Sequence, residues 1–274
     1  MSQAGQFLRD NDRDRYFASL VIPETARPAV QALYAFNADV ASIRDRAREP
    51  APGEIRLQWW ADAIAGEGHG AVRNNPIAAE LLDAVAAYRL PTGPLLRLIE
   101  ARRFDLYDDP MPDLHSFEGY AGETASVLYQ LAAMILNDGN EIETGDAAGH
   151  LGVAQAMLGH LRAFGLNASR GRLFLPGSLL SANGVVEAEI FSGTDSEGLR
   201  AAWGQCVELA GEHLDKAAAA ILKLPRLLRP AFAPIALQRL YLPRVARQSP
   251  FTAPAEPAEW RRIAALTLWS LRNA

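Results

Sequence analysis

Five histidines, His69, His115, His150, His160 and His213, lie scattered without the close helical spacing at which two imidazoles share a zinc ion. Cys206 is the sole cysteine, so the chain has neither an internal disulfide nor a second thiolate for a metal. No nucleophile elbow, no phosphate-cradling glycine loop and no dinucleotide fingerprint in a strand-to-helix setting occurs, which removes the hydrolase and nucleotide-binding classes. One acidic run, Asp105-Leu106-Tyr107-Asp108-Asp109, offers carboxylates that a divalent cation would accept. Pro110 and Pro112 follow at once, placing Asp108 and Asp109 at a helix end and Asp105 one turn inside. The plainer expectation is a solvated helix terminus.

Three stretches carry more information. Tyr34-Ala35-Phe36-Asn37 leads to Ser42-Ile43-Arg44-Asp45. Leu151-Gly152-Val153-Ala154-Gln155 leads through Leu161-Arg162 to Gly171-Arg172-Leu173-Phe174-Leu175-Pro176. Between them, Tyr120-Ala121-Gly122-Glu123-Thr124-Ala125-Ser126 puts small residues on a helix at spacings of four to five.

The elements that position these residues are helices. Apolar residues recur at spacings of three and four, and no segment alternates apolar with polar for long enough to make a sheet, so the class is all-α. Helices are expected over residues 28–46, from about 54, and over 76–88, 94–107, 114–136, 145–164, 195–222, 226–247 and 257–270. Several begin with Pro in the first turn, where its missing N–H costs nothing. The 274 residues, 49% apolar and 22% charged, contain no linker-like tract, which points to one domain over 1–274 with residues 1–12 as a flexible N-terminus.

Taken together, the stretches resemble the squalene/phytoene synthase family. That family has a Tyr-Ala-Phe helix running into one aspartate-rich motif, then a Leu-Gly helix running into a second aspartate motif and a Gly-Arg-x-Tyr-Leu-Pro end. The order and spacing hold from about Arg15 to Pro176, and the second block is the more specific signal. The resemblance implies an isoprenoid-synthase bundle of helices around a central cavity. It also implies a head-to-head joining of prenyl diphosphates in which Mg²⁺, a hard oxygen-seeking ion, neutralises the leaving diphosphate.

The carboxylates for that reaction are largely missing. The first motif falls on Ala41-Ser42-Ile43-Arg44-Asp45, where Asp45 alone survives, and the second on Ala163-Phe164-Gly165-Leu166-Asn167, where both aspartates are replaced. With Ala41, Asp45, Ala163 and Asn167 as degenerate positions and Asp45 as a metal remnant, neither catalysis nor a cofactor is expected. Tyr34, Phe36, Tyr120, Ala125, Ser126, Arg162 and Arg172 remain as candidates to line a greasy cavity or meet a phosphate. For these, core packing with Arg162 paired to Asp45 or another acid is an equally good reading. Within the family the chain resembles the branch of complex I assembly factors, through Ala35-Phe36-Asn37, Gln58-Trp59-Trp60 and the lost aspartates. That likeness implies a non-catalytic role in biogenesis of a membrane respiratory complex, through a protein partner or a prenyl or other lipid ligand. The competing expectation is an active Mg²⁺-dependent prenyl diphosphate transferase with altered metal ligands.

Charge divides the chain. From Lys216 to Ala274 ten basic residues face two acids, a balance of +8, whereas the rest carries 17 basic residues against 30 acids, or -13. The basic residues from Lys223 to Arg247 alternate with Leu, Phe, Ile and Tyr, a pattern for peripheral membrane contact through 216–255, although helix faces packed on the core explain it as well. With no helix-turn-helix or aromatic strand motif, nucleic acid is not an expected partner. Met1 to Asp12 lacks an apolar core and no run of eighteen apolar residues occurs, so the expected location is cytoplasmic, with peripheral contact at the inner face of the membrane.

Overall fold

The computed structural model describes residues 2–47, 49–253 and 255–273. In chain order its helices are α1 (Gln3–Asn11), α2 (Arg13–Ser19), α3 (Arg27–Ala41), α4 (Ile43–Arg46), α5 (Pro50–Ala65), α6 (Pro76–Tyr88), α7 (Thr92–Arg103) and α8 (Leu114–Ala121). There follow α9 (Val127–Leu136), α10 (Gly145–Arg162), α11 (Phe164–Ala168), α12 (Gly177–Ala182), α13 (Glu187–Phe191), α14 (Glu197–Lys223), α15 (Ile235–Val245) and α16 (Glu259–Asn273). The described residues contain no strand, in line with the all-α expectation.

Local chemistry sets the ends. Asn75 accepts hydrogen bonds from the amides of Ile77 and Ala78 to start α6, and Ser196 caps α14 through the Leu199 amide. Gly66, at φ +80°, ends α5. One continuous core joins Leu33 and Phe36 of α3, Leu131 and Ile135 of α9, Leu151 and Leu158 of α10, and Leu199 and Leu214 of α14. A smaller cluster of Phe17, Ala233, Leu237, Tyr241 and Leu266 fastens α2, α15 and α16 together.

The flexible N-terminus is corrected. Residues 3–11 form a capped helix with Ala4 and Leu8 wholly buried, because two apolar residues four apart on one face suffice to dock a short helix. Long helices are also interrupted where one was expected. The 28–46 helix breaks at Ser42, the 145–164 helix at Ala163, and 226–247 opens as a 3₁₀ turn over Arg226–Phe232, where Pro230 inside the turn and Pro234 just after it cannot donate to an α-helical ladder.

Within 114–136, Gly122–Ser126 forms one π-helical turn. That wider turn lets α10 approach closely: a Cβ on Gly152 would sit 2.6 Å from the Ser126 amide nitrogen. The spacing of four to five among small residues is therefore the mark of a backbone-to-backbone contact.

Candidate functional site

Both degenerate motifs sit at the helix breaks. Ala41 is the last residue of α3 and Asp45 lies in the single turn of α4, while Ala163 separates α10 from α11 and Asn167 lies in α11. Asp45 is exposed and meets two arginines, Arg170 at 2.8 Å and Arg172 at 3.3 Å. Arg44 binds Asp108 at 2.8 Å, and Arg172 reaches Asp108 at 3.9 Å. Three guanidinium groups thus surround two carboxylates. Mg²⁺ needs oxygen ligands with uncompensated negative charge, and among the described residues no three His, Cys, Asp or Glu side chains converge for a metal. The residues present do not fit the ion.

Asp39, the nearest other carboxylate of α3, is already engaged: it accepts from Trp60 Nε1 at 2.9 Å and pairs with Arg46 at 2.8 Å. Asp105 corrects the expectation of a solvated terminus. Its side chain is buried, accepting from the Tyr120 hydroxyl at 2.6 Å and from Arg102 at 2.9 Å. The 3₁₀ turn over Phe104–Leu106 rotates Asp105 inward, where Arg102, three residues before it, offsets its desolvation. Asp108 stays exposed and is paired with Arg44.

Arg162 lies elsewhere, at the mouth of a cavity of about 570 Å³ whose walls come from α2, α10, α15 and α16. Its guanidinium lies 3.8 Å from the centre of the Tyr241 ring and pairs with Glu256 at 2.5 Å. Arg262 binds Asp14 at 2.9 Å, and the Tyr241 hydroxyl donates to Asp14 at 2.6 Å. Deeper in, Arg15 pairs with Asp12 at 2.8 Å and stands 5.8 Å from the Tyr34 ring centre. Burial pushes the Tyr34 phenol up to about 12 and raises Tyr241 as well, with the bond to Asp14 as the next cause.

A strap closes one side. Between α15 and α16 the chain crosses α11, with Phe251 against Phe164 at 5.5 Å between ring centres. Its backbone comes so near that a Cβ on Gly165 would lie 2.6 Å from the Phe251 carbonyl oxygen. Glu256 then reaches Arg162 from this strap.

The sequence candidates therefore divide. Arg172 and Asp45 come together, and Arg162 is paired to Glu256. Tyr120 belongs to the separate cluster with Arg102 and Asp105, against His160. Tyr34, Phe36, Ala125 and Ser126 are buried in the packed interior, and the cavity beside Arg162 is lined by charged and amide side chains instead of the expected apolar ones. Sequence reasoning missed Asp14, Tyr241, Glu256 and Arg262. One signal was available: the only two acids after Lys216 are Glu256 and Glu259, and both clamp the body, to Arg162 and Arg13.

The pattern describing squalene/phytoene synthases matches residues 8–264. The chain belongs to the squalene/phytoene synthase family. Complex I assembly factor 6 of Rattus norvegicus is 29% identical over 242 residues, covering 88% of this chain and 72% of the relative. The 15-cis-phytoene synthase of Synechococcus elongatus is 24% identical over 94% of this chain and 88% of its own length. Among solved structures, a dehydrosqualene synthase in complex with ligand superposes with a TM-score of 0.83 over 99% of this chain and 96% of its own, at 19% identity. The family fold thus extends over nearly the whole chain.

Proposed function

We propose that this chain is a non-catalytic member of the family that aids assembly of a membrane respiratory complex of the complex I type, through a protein partner or a lipid. One observation carries the reading. Where the family reaction needs free carboxylates for Mg²⁺ and free arginines for diphosphate, each candidate arginine, Arg162 and Arg172, is paired with an acid of the chain itself, and of the motif aspartates Asp45 alone remains. An internal carboxylate on a guanidinium must be displaced before a phosphate can take its place. The likeness to assembly factor 6 of Rattus norvegicus supports the same reading.

A second reading, an active prenyl diphosphate transferase, draws on the phytoene synthase relative and on the arginine-lined cavity of about 570 Å³. Calorimetric titration with farnesyl diphosphate, with and without Mg²⁺, separates the two. The assembly reading expects no Mg²⁺-dependent binding and a fall in assembled complex when the gene is deleted. Tight binding that needs Mg²⁺, followed by release of diphosphate, would establish the transferase instead.

A further inference from the structure

We propose that the outer face of α16, together with the end of α14, is a docking surface for an anionic lipid bilayer. The inference stands on surface geometry and holds whether or not the chain assists assembly. It also moves the membrane contact expected over 216–255 largely onto α16.

An ordinary surface helix is apolar on one side. α16 is apolar on two. Its inner side places Leu266 and the buried Arg262 against Phe17 and Tyr241 and their neighbours. Its outer side, at 100° per residue, aligns Trp260, Ala264, Thr267 and Leu271 in one row. Trp260 is 65% and Leu271 74% exposed, and Ile263 and Leu268 are exposed beside them. An isolated exposed leucine is ordinary, but Trp260, Ile263, Leu268 and Leu271 facing water on one side of a single helix ask for a cover.

The row continues onto α14. Leu222 and Leu268 line one groove of about 440 Å³ with Arg239 and Arg272 at its rim. Leu227 is also exposed just beyond the end of α14, so six of the twelve large apolar residues exposed among the described residues fall between 222 and 271.

Charge selects the occupant. Lys223 and Arg226 flank Leu222 and Leu227, and Arg261 and Arg272 flank the α16 row. The acids that might neutralise them are turned away, since Glu256 and Glu259 bind Arg162 and Arg13 on the body, and the local pairs on this side are Arg239 with Asp215 at 3.0 Å and Lys216 with Glu212 at 3.7 Å. A shallow apolar row edged with arginine and lysine matches the boundary of an anionic bilayer, where leucine and tryptophan enter the acyl region and the cations meet phosphate. Among the described residues no helix is long and apolar enough to cross a membrane, so the contact is with its surface.

Co-sedimentation of the full chain with vesicles tests this, using phosphatidylcholine alone and phosphatidylcholine mixed with an equal part of phosphatidylglycerol. Capture by the anionic vesicles, weakened by salt, is expected, with little capture by the neutral ones. The double variant Trp260→Ser, Leu271→Ser should lower anionic capture about tenfold or more while its thermal unfolding stays that of the parent. Lys223→Glu with Arg226→Glu should lower capture by the anionic vesicles only. Equal capture by both vesicle types, or unchanged capture of the Trp260/Leu271 variant, would overturn the proposal. So would a dimer that this variant converts to monomer without any vesicle capture, since the row would then be a self-interface. The readout is independent of complex assembly, so failure of either idea leaves the other testable.

Discussion

At the scale of single residues, the cavity around Arg162 is held by charge pairs that leave it little freedom. Asp14 accepts from both Arg262 and Tyr241, each largely withdrawn from water. Replacing it with alanine leaves the Tyr241 hydroxyl and the Arg262 guanidinium only their longer approaches to Glu256, at 3.2 and 3.8 Å, and Asp14→Ala should cost about 2 kcal/mol of unfolding free energy in denaturant titration. Glu256 is more exposed, so Glu256→Gln should cost about 1 kcal/mol or less. His160 carries a different consequence. Stacked on Phe174 and half-buried near Arg102 and Asp105, it is pushed down to about 4, chiefly by desolvation. The native state therefore keeps it neutral where the unfolded chain, with an ordinary histidine near 6.5, already binds a proton. Stability from this group is complete above about pH 6.5 and declines as the pH falls toward 4. Urea unfolding at neutral and mildly acidic pH should show His160→Gln losing part of the parent's acid sensitivity.

At the scale of elements, contacts between backbones decide how the motif helices sit. The π turn over Gly122–Ser126 and the absent side chain of Gly152 let α10 lie against the preceding segment at backbone distance. The added Cβ would meet the Ser126 hydroxyl and, at 2.6 and 2.7 Å, the Ser126 amide nitrogen and Cα, so turning the serine rotamer does not make room and Gly152→Ala should destabilise by about 2 kcal/mol or more, measurable as a lowered Tm. Gly165→Ala is a milder and more specific case. It meets the Phe251 carbonyl, so it should push the strap off α11 and raise protease cleavage between α15 and α16 before it unfolds the bundle. These elements were partly legible beforehand. Helical class and the small-residue spacing were readable, because periodicity reports which side faces a core. The breaks at Ser42 and Ala163 were not, because nothing at those positions lacks an amide or demands a left-handed backbone. They depend on what each half packs against.

At the scale of the whole molecule, the opposed charges of the two parts find separate uses. The two acids of the basic C-terminal part tie it to α2 and α10, while most of its cations remain on the outside. Removing the clamp as a unit, with Glu256→Ala and Glu259→Ala together, should loosen α16 more than either change alone. Hydrogen exchange over 259–273 would register this as faster exchange confined to α16 and the strap. A uniform rise across the molecule would show that the clamp supports the entire fold and not its C-terminal part.

The sequence by itself determined the helical class, the family and the loss of the motif aspartates, because periodicity, motif order and the presence or absence of a carboxylate are properties of the chain in line. It also supplied both alternatives for Arg162, phosphate contact or pairing with an acid. Only the tertiary structure decided between partners: Arg172 with Asp45, Arg162 with Glu256, Arg262 with Asp14, and Asp105 turned inward to Tyr120. Arg162 and Glu256 stand 94 positions apart, and Arg262 and Asp14 stand 248 apart. A carboxylate's partner at such separations is chosen by how the helices pack, which local sequence does not encode.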